Sequence, residues 1–350
     1  MEKSFGNNGE LKARIGERIA EPTVRGLYYD YEAIGGMDEL VGISNRVPEE
    51  RRGPLLLALE THVTKEKPMY AAEFAFNAGL DKQSAASIAA TVDMLWALSL
   101  MYDDMYDGDE ERAGRKTSWV QFGKDETLIS AQAGLDATIS YIDEHFGSAL
   151  SIYALEAVYR GVSSLDELKA MQLDSSFEQF TTNYDKRAEF HVELPVRLVT
   201  ALQPNVPVET QREAIMGLYE INRAGQILND LRDLHTSSRW LRENYSDMRS
   251  GTPTIALKQM LSACNEDETK TFMTLFNKQS FDDFDQMQME LLIERTGVFG
   301  STYGLVIATY ESAYEHYHRA IQGGVHTKTF DTWIEYKIGH LEDLVRDSTA

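Results

Sequence analysis

Three aspartates, Asp103, Asp104 and Asp107, close a long apolar stretch in the segment YDDMYDGDEERAGRKT at 102–117, and their type and spacing suit a hard divalent cation. Mg2+ takes oxygen ligands, keeps several waters, and is commonly held by one or two carboxylates together with substrate phosphates. The acids fit a bland helix badly. Carboxylates at a helix C-terminus oppose the macrodipole by about 0.3–1 kcal/mol each, and Asp103 and Asp107 are like charges at i, i+4. A bound cation offsets that conflict. Arg112, Arg115 and Lys116 follow closely, and a guanidinium meets phosphate oxygens in charge-assisted, often bidentate pairs. The motif therefore reads as a metal–diphosphate site. A solvated acidic helix end is the plain alternative. An EF-hand is ruled out, because its third and twelfth places fall on Met105 and Gly114, where oxygen ligands are required.

A second acidic stretch, GQILNDLRD at 225–233, carries Asn229, Asp230 and Asp233 on adjacent turns of one helix, so that their oxygens can meet one metal. Two such helices facing each other across a cavity would clamp a diphosphate through several cations, as Mg2+ does in phosphoryl transfer. The elements that must position these groups are helical. The segment SAASIAATVDMLWALSLM at 84–101 lacks Gly and Pro and is rich in Ala, Leu and Met, the composition of a buried helix.

With both stretches in view, the sequence resembles the trans-isoprenyl diphosphate synthase, or polyprenyl synthetase, family. LSLMYDDMYDGDEERAGRKTSW is similar to its first aspartate-rich motif, and GQILNDLRDLHTSSRWLRENYSDMRSGTPTIAL to its second with the lysine-bearing follow-on. TTNYDKRAEFHVELPVRLV resembles the helix that supplies a diphosphate-binding lysine, and RRGPLLLALE resembles the basic substrate loop. The resemblance implies an all-α, single-domain isoprenoid synthase-type bundle around a central apolar cavity. It also implies Mg2+ dependence, with Mn2+ as a substitute, allylic prenyl diphosphate substrates and a homodimer. The metal positions fall on Asp103, Asp104, Asp107, Asn229, Asp230 and Asp233, of which the aspartates are the catalytic candidates. The diphosphate contacts fall on Arg112, on Lys186 or Arg187, and on Arg242, with a later metal ligand at Ser237 if the second motif follows the terpene synthase pattern.

Family enzymes hold two substrates, an allylic diphosphate clamped by metals and isopentenyl diphosphate bound by bases. Aligned on Pro54, the loop lysine falls at Glu50, the next arginine at Arg51 and the last at Gly53. The usual histidine is Trp96, and the second arginine of the tail is Ala113. Removing arginine partners and adding a carboxylate weakens diphosphate binding by at least a few kcal/mol. The expectation is therefore ionisation of a farnesyl- or geranylgeranyl-sized diphosphate followed by cyclisation or elimination, a class I terpene synthase-type activity. Trp96 would offer its π face to the cation, though packing in the core is its commoner use. Leu95, Trp96, Leu98 and Ser99 are the expected cavity residues, Leu98 and Ser99 standing where short-product enzymes carry an aromatic. The alternatives are a chain-elongating prenyltransferase binding isopentenyl diphosphate through rearranged bases such as Arg46, Arg51, Arg52 and Arg115, or a non-catalytic subunit of a heteromeric synthase.

Composition sets the remaining bounds. At 350 residues the chain can bury a sizeable core; we expect a loose segment over 1–20 and one helical domain over 21–350. A single cysteine, Cys264, admits no intramolecular disulfide and favours a reducing cytoplasm. Without an apolar run of about 18 residues, no stable membrane insertion is expected. A net charge of −22 argues against nucleic-acid partners and makes metal ions necessary to invert the field around an anionic substrate.

Overall fold

The computed structural model describes residues 21–62, 64–112, 114–235, 245–321 and 328–348. The expected loose segment 1–20, Ala113, Ser237 and Arg242 lie outside these residues. The described chain is all-α apart from one small hairpin. Its helices are α1 Pro22–Ala33, α2 Gly36–Ser44, α3 Arg52–Thr61, α4 Glu66–Asn77, α5 Lys82–Asp107, α6 Ser118–Phe122, α7 Lys124–Phe146 and α8 Ser148–Ala170. They continue as α9 Phe177–Leu202, α10 Val208–Asp233, α11 Ser246–Ser250, α12 Ile255–Ala263, α13 Glu266–Leu275, α14 Asp283–Thr296, α15 Val298–Ala320 and α16 Lys328–Ser348. Two compact units are formed: the first from Met1–Val162, Glu189–Ile215 and His318–Trp333, the second from Ser163–Ala188, Met216–Tyr317 and Ile334–Ala350.

Helix α5 organises the first unit. Asp81 caps its start, accepting from Ser84 N at 2.8 Å, and Gly108 ends it at φ +78°, a left-handed residue of the kind that closes many helices. Ala85, Ala86, Ala89 and Ala90 are buried along it, and these short side chains let α2, α3, α4 and α7 all pack against it. By length and composition α5 is apolar enough to cross a membrane, yet it is the buried helix of this unit. On α7, a Cβ at Gly134 would stand 2.8 Å from Leu98 Cδ2 and 3.4 Å from Leu55 Cδ2. The missing side chain is thus the seat of Leu98, which fills a helix contact. Leu95 is buried as well, and the Ser99 hydroxyl donates back to Trp96 O at 2.8 Å.

After α5 the chain forms strands Glu111–Arg112 and Arg115–Lys116, paired antiparallel with Arg112 opposite Arg115. Gly114 turns the hairpin at φ +71°. The Thr117 hydroxyl and Trp119 Nε1 both donate to Asp109 O at 2.8 Å, which fixes the loop between the aspartates and the hairpin.

Candidate functional site

In the first unit the three aspartates of the α5 terminus divide into two kinds. Asp103 is half-buried and Asp107 exposed; at i, i+4 they share a helix face. Asp104 is buried and its Oδ1 accepts from Arg112 Nε at 2.8 Å and Nη2 at 2.5 Å. Burial pushes the Asp104 carboxyl upward against the opposing pull of Arg112. Asp104 therefore fixes the arginine of the tail, while Asp103 and Asp107 stand one turn apart at the helix end. Two carboxylates one turn apart, one half-buried and one exposed, are of the oxygen-donor type that Mg2+ takes alongside phosphate oxygens and water. Among the described residues no group of three or more His, Cys, Asp or Glu is arranged to hold a metal by itself.

The bases expected to replace the lost acceptor contacts are mostly engaged in holding the fold. Arg46 pairs with Glu144 at 2.9 Å. The Arg52 guanidinium donates to Val47 O at 2.6 Å, Asn45 O at 2.8 Å and Asn45 Oδ1 at 3.0 Å. Arg115 donates to the buried Glu60 at 2.7 Å, tying the hairpin to α3. The turn Glu49–Arg51 packs on α3 and α7 and leaves Arg51 exposed.

A different base stands beside Trp96. Lys67 Nζ lies 2.8 Å from the centroid of the Trp96 ring, a cation–π contact. His191 approaches the ring edge-on at 4.9 Å, and Phe190 lies at 6.3 Å. With an ammonium over its face, the indole is not available as the cation-stabilising surface the sequence suggests. Lys67 directly precedes Pro68. Placing the basic loop on Pro68 instead of Pro54 moves its three base positions to Thr64, Lys65 and Lys67, so that two of them are basic. Only one is basic on Pro54. The signal missed in the sequence is this second base-X-base-Pro run, KEKP at 65–68.

Lys65 is wholly buried. Its Nζ donates to both Asp93 oxygens, at 3.0 and 2.9 Å, and to His62 O at 3.2 Å. His62 Nδ1 lies 3.2 Å from Asp93 Oδ1. Burial alone would raise Asp93, but Lys65 and His62 outweigh it and hold the carboxyl below its usual range. Burial, followed by the charge of Lys65, pushes His62 below its ordinary value, so the imidazole is neutral near pH 7.

In the second unit the residues of α10 show a similar division. Asn229 is half-buried. Asp230 is buried; its Oδ2 accepts from the Tyr184 hydroxyl at 2.7 Å and from Ile255 N at 3.3 Å. Burial raises its pKa to about 6 against the pull of these donors and of Arg187. Asp233 is taken up in capping α11, accepting from Ser246 N at 2.9 Å, Ser246 Oγ at 2.5 Å and Asp247 N at 3.0 Å. Its carboxylate does structural work in this arrangement. Between the adjacent bases of α9, Lys186 pairs with Glu167 at 2.6 Å, whereas Arg187 acts electrostatically on Asp230 and Tyr184. With Lys186 taken up by Glu167, the charge acting on Asp230 favours Arg187 as the mid-chain base.

The sequence and the fold are similar to those of known proteins. The family model for polyprenyl synthetase matches residues 58–291, which include Lys67, Trp96 and both acidic motifs but leave out the turn at Glu50–Gly53. The chain is 25% identical over 214 residues to the geranylgeranyl diphosphate synthase of Saccharolobus solfataricus, covering 58% of this chain and 64% of that protein; it thus spans a little under two thirds of that relative's length. Among solved structures, a decaprenyl diphosphate synthase from Rhodobacter capsulatus superposes with a TM-score of 0.68 at 15% identity, covering 97% of this chain and 99% of that one. A polyprenyl synthase from Caulobacter crescentus complexed with calcium and isoprenyl diphosphate gives 0.67 at 19% identity, over 99% and 98% of the two chains. With two thirds of its length inside the family match and the all-α fold of those synthases, this chain belongs to the polyprenyl synthetase family.

Proposed function

We propose that this protein is a chain-elongating prenyltransferase, joining isopentenyl diphosphate to an allylic prenyl diphosphate of farnesyl or geranylgeranyl size. The observation that supports it most is Lys67 over Trp96. Lys67 lies inside the family-matched span, whereas Arg51, the one base that alignment on Pro54 supplies, lies outside it. That the chain's relatives are synthases of prenyl diphosphates supports the same reading.

In the reaction the allylic C–O bond breaks, diphosphate leaves with the electron pair, the isopentenyl double bond attacks the allylic carbon, and a proton is lost as the new double bond forms. When bound, Mg2+ supplies neutralising charge for the departing diphosphate. By the family resemblance, Asp103 and Asp107 would hold a metal at the first motif, and the Asn229 amide oxygen would meet one at the second. Asp104 orients Arg112 toward the leaving group, Arg187 supplies a further cation, and Lys67 holds the acceptor's diphosphate. Buried Asp230 and capping Asp233 order the second motif. The family resemblance implies a homodimer, and the single Cys264 favours a reducing cytoplasm; the enzyme is read as both.

A second reading, ionisation without an acceptor in the manner of a terpene synthase, rests on Thr64 and Trp96, which stand where the family has a lysine and a histidine. Product analysis with Mg2+ and farnesyl diphosphate separates the two. Elongation requires added isopentenyl diphosphate and yields longer diphosphates; hydrocarbons or alcohols formed in its absence favour the second reading.

A further inference from the structure

We infer that the buried Lys65–Asp93 pair is a positioning device that sets Lys67 over Trp96 and thereby fixes affinity for the acceptor diphosphate. This rests on the acceptor reading of Lys67.

The connection between α3 and α4 lies against one carboxylate at both ends and is bonded to it through Lys65. His62 at its start lies 3.2 Å from Asp93 Oδ1, and Lys65 at its end bonds both Asp93 oxygens and turns back to the His62 carbonyl. Lys65 and Asp93 have no solvent exposure. Asp93 and Trp96 stand at i, i+3 on α5, hence on one helix face. The clamp at 65 and the cation at 67 are two residues apart on the facing segment, so the pair and the Lys67–Trp96 contact are registered against the same stretch of α5. Tyr31 completes the enclosure, with Lys65 Nζ 5.7 Å from its ring centroid. A long lysine side chain reaching an aromatic face unaided would sample many rotamers; anchoring its backbone through a buried neighbour removes much of that freedom.

Removing one partner alone would strand a buried charge and confuse fold with function. The test therefore replaces both. K65M/D93L, K67M and the triple variant are compared with wild type by calorimetric titration with isopentenyl diphosphate in the absence of metal, by titration with farnesyl diphosphate in Mg2+, and by thermal unfolding. We expect K65M/D93L to keep an unfolding midpoint within a few degrees of wild type, to retain farnesyl diphosphate affinity within about twofold, and to weaken isopentenyl diphosphate binding about tenfold. The triple variant should bind it no more weakly than K67M, because the pair acts through Lys67. Wild-type acceptor affinity in K65M/D93L, or losses that simply add in the triple variant, would overturn the positioning role while leaving Lys67 as the base. If K67M binds isopentenyl diphosphate as wild type does, or wild type does not bind it, the acceptor reading fails and the positioning role with it. An equal loss of both ligands together with a fall in unfolding temperature would mark the pair as structural only.

Discussion

The ammonium of Lys67 lies 2.8 Å from the centre of the Trp96 ring, and this contact changes how the acceptor half of the chain is understood. An indole in the place of a histidine looks, in sequence, like the loss of a polar partner. Beneath a lysine it becomes a platform that holds a cation, since the ring's negative face attracts the ammonium.

Substituting Lys67 with methionine keeps the stem and removes the charge. A charge-assisted hydrogen bond to a diphosphate is worth about 1.5–3 kcal/mol, so the KM for isopentenyl diphosphate should rise about 10- to 100-fold with little change in that for the allylic substrate. Steady-state kinetics with each substrate varied in turn measures this.

Asp104 is buried and holds Arg112, whereas Asp103 is half-buried and Asp107 exposed. Asp103→Ala and Asp107→Ala should each lower kcat by about 100-fold or more, the scale for removing one group that stabilises developing charge. Raising Mg2+ should restore part of that activity. For Asp104→Asn the loss should be insensitive to Mg2+, because that residue acts through the arginine. Activity measured across a Mg2+ titration distinguishes the two patterns.

Asp233 accepts three hydrogen bonds from the start of α11. Asp233→Ala should therefore destabilise the protein by about 1.5–3 kcal/mol, and Asp233→Asn, which keeps an acceptor oxygen, by less. Denaturant unfolding of the two variants checks the order.

Glu73 is buried and accepts from Thr329 N at 2.5 Å and Phe330 N at 3.3 Å at the start of α16. Burial lifts its pKa from 4.5 to about 7, more than the backbone donors lower it. The folded protein thus holds this proton between about pH 4.5 and 7 while the unfolded chain releases it. The stabilisation is full below the unfolded value and is lost as pH rises through about 7, a change of at most about 3 kcal/mol. Relative to Glu73→Gln, wild-type stability should fall from pH 5 to pH 8. A constant difference between the two proteins over that range would contradict the assignment.

Both acidic stretches and the helices that carry them were legible in the sequence, the first helix because an apolar run without Gly or Pro leaves few alternatives. The partition within each motif was not. Asp104 and Asp233 differ from Asp103 only in what folds over them, Arg112 in one case and Ser246–Asp247 in the other. Lys186 and Arg187 are likewise adjacent in sequence, yet Lys186 is paired with Glu167 while the charge of Arg187 acts on Asp230. The basic loop is ambiguous for a simpler reason: RRGP and KEKP both put bases before a proline, and only the tertiary structure brings Lys67 onto Trp96 of α5.

The most direct test of the central claim follows isotopically labelled isopentenyl diphosphate in a reaction with unlabelled farnesyl diphosphate and Mg2+. The label should appear in prenyl diphosphates longer than farnesyl, and the release of inorganic diphosphate should depend on the labelled substrate. Diphosphate release at an undiminished rate without it, with unlabelled hydrocarbon or alcohol as product, would contradict the reading of this protein as an elongating prenyltransferase.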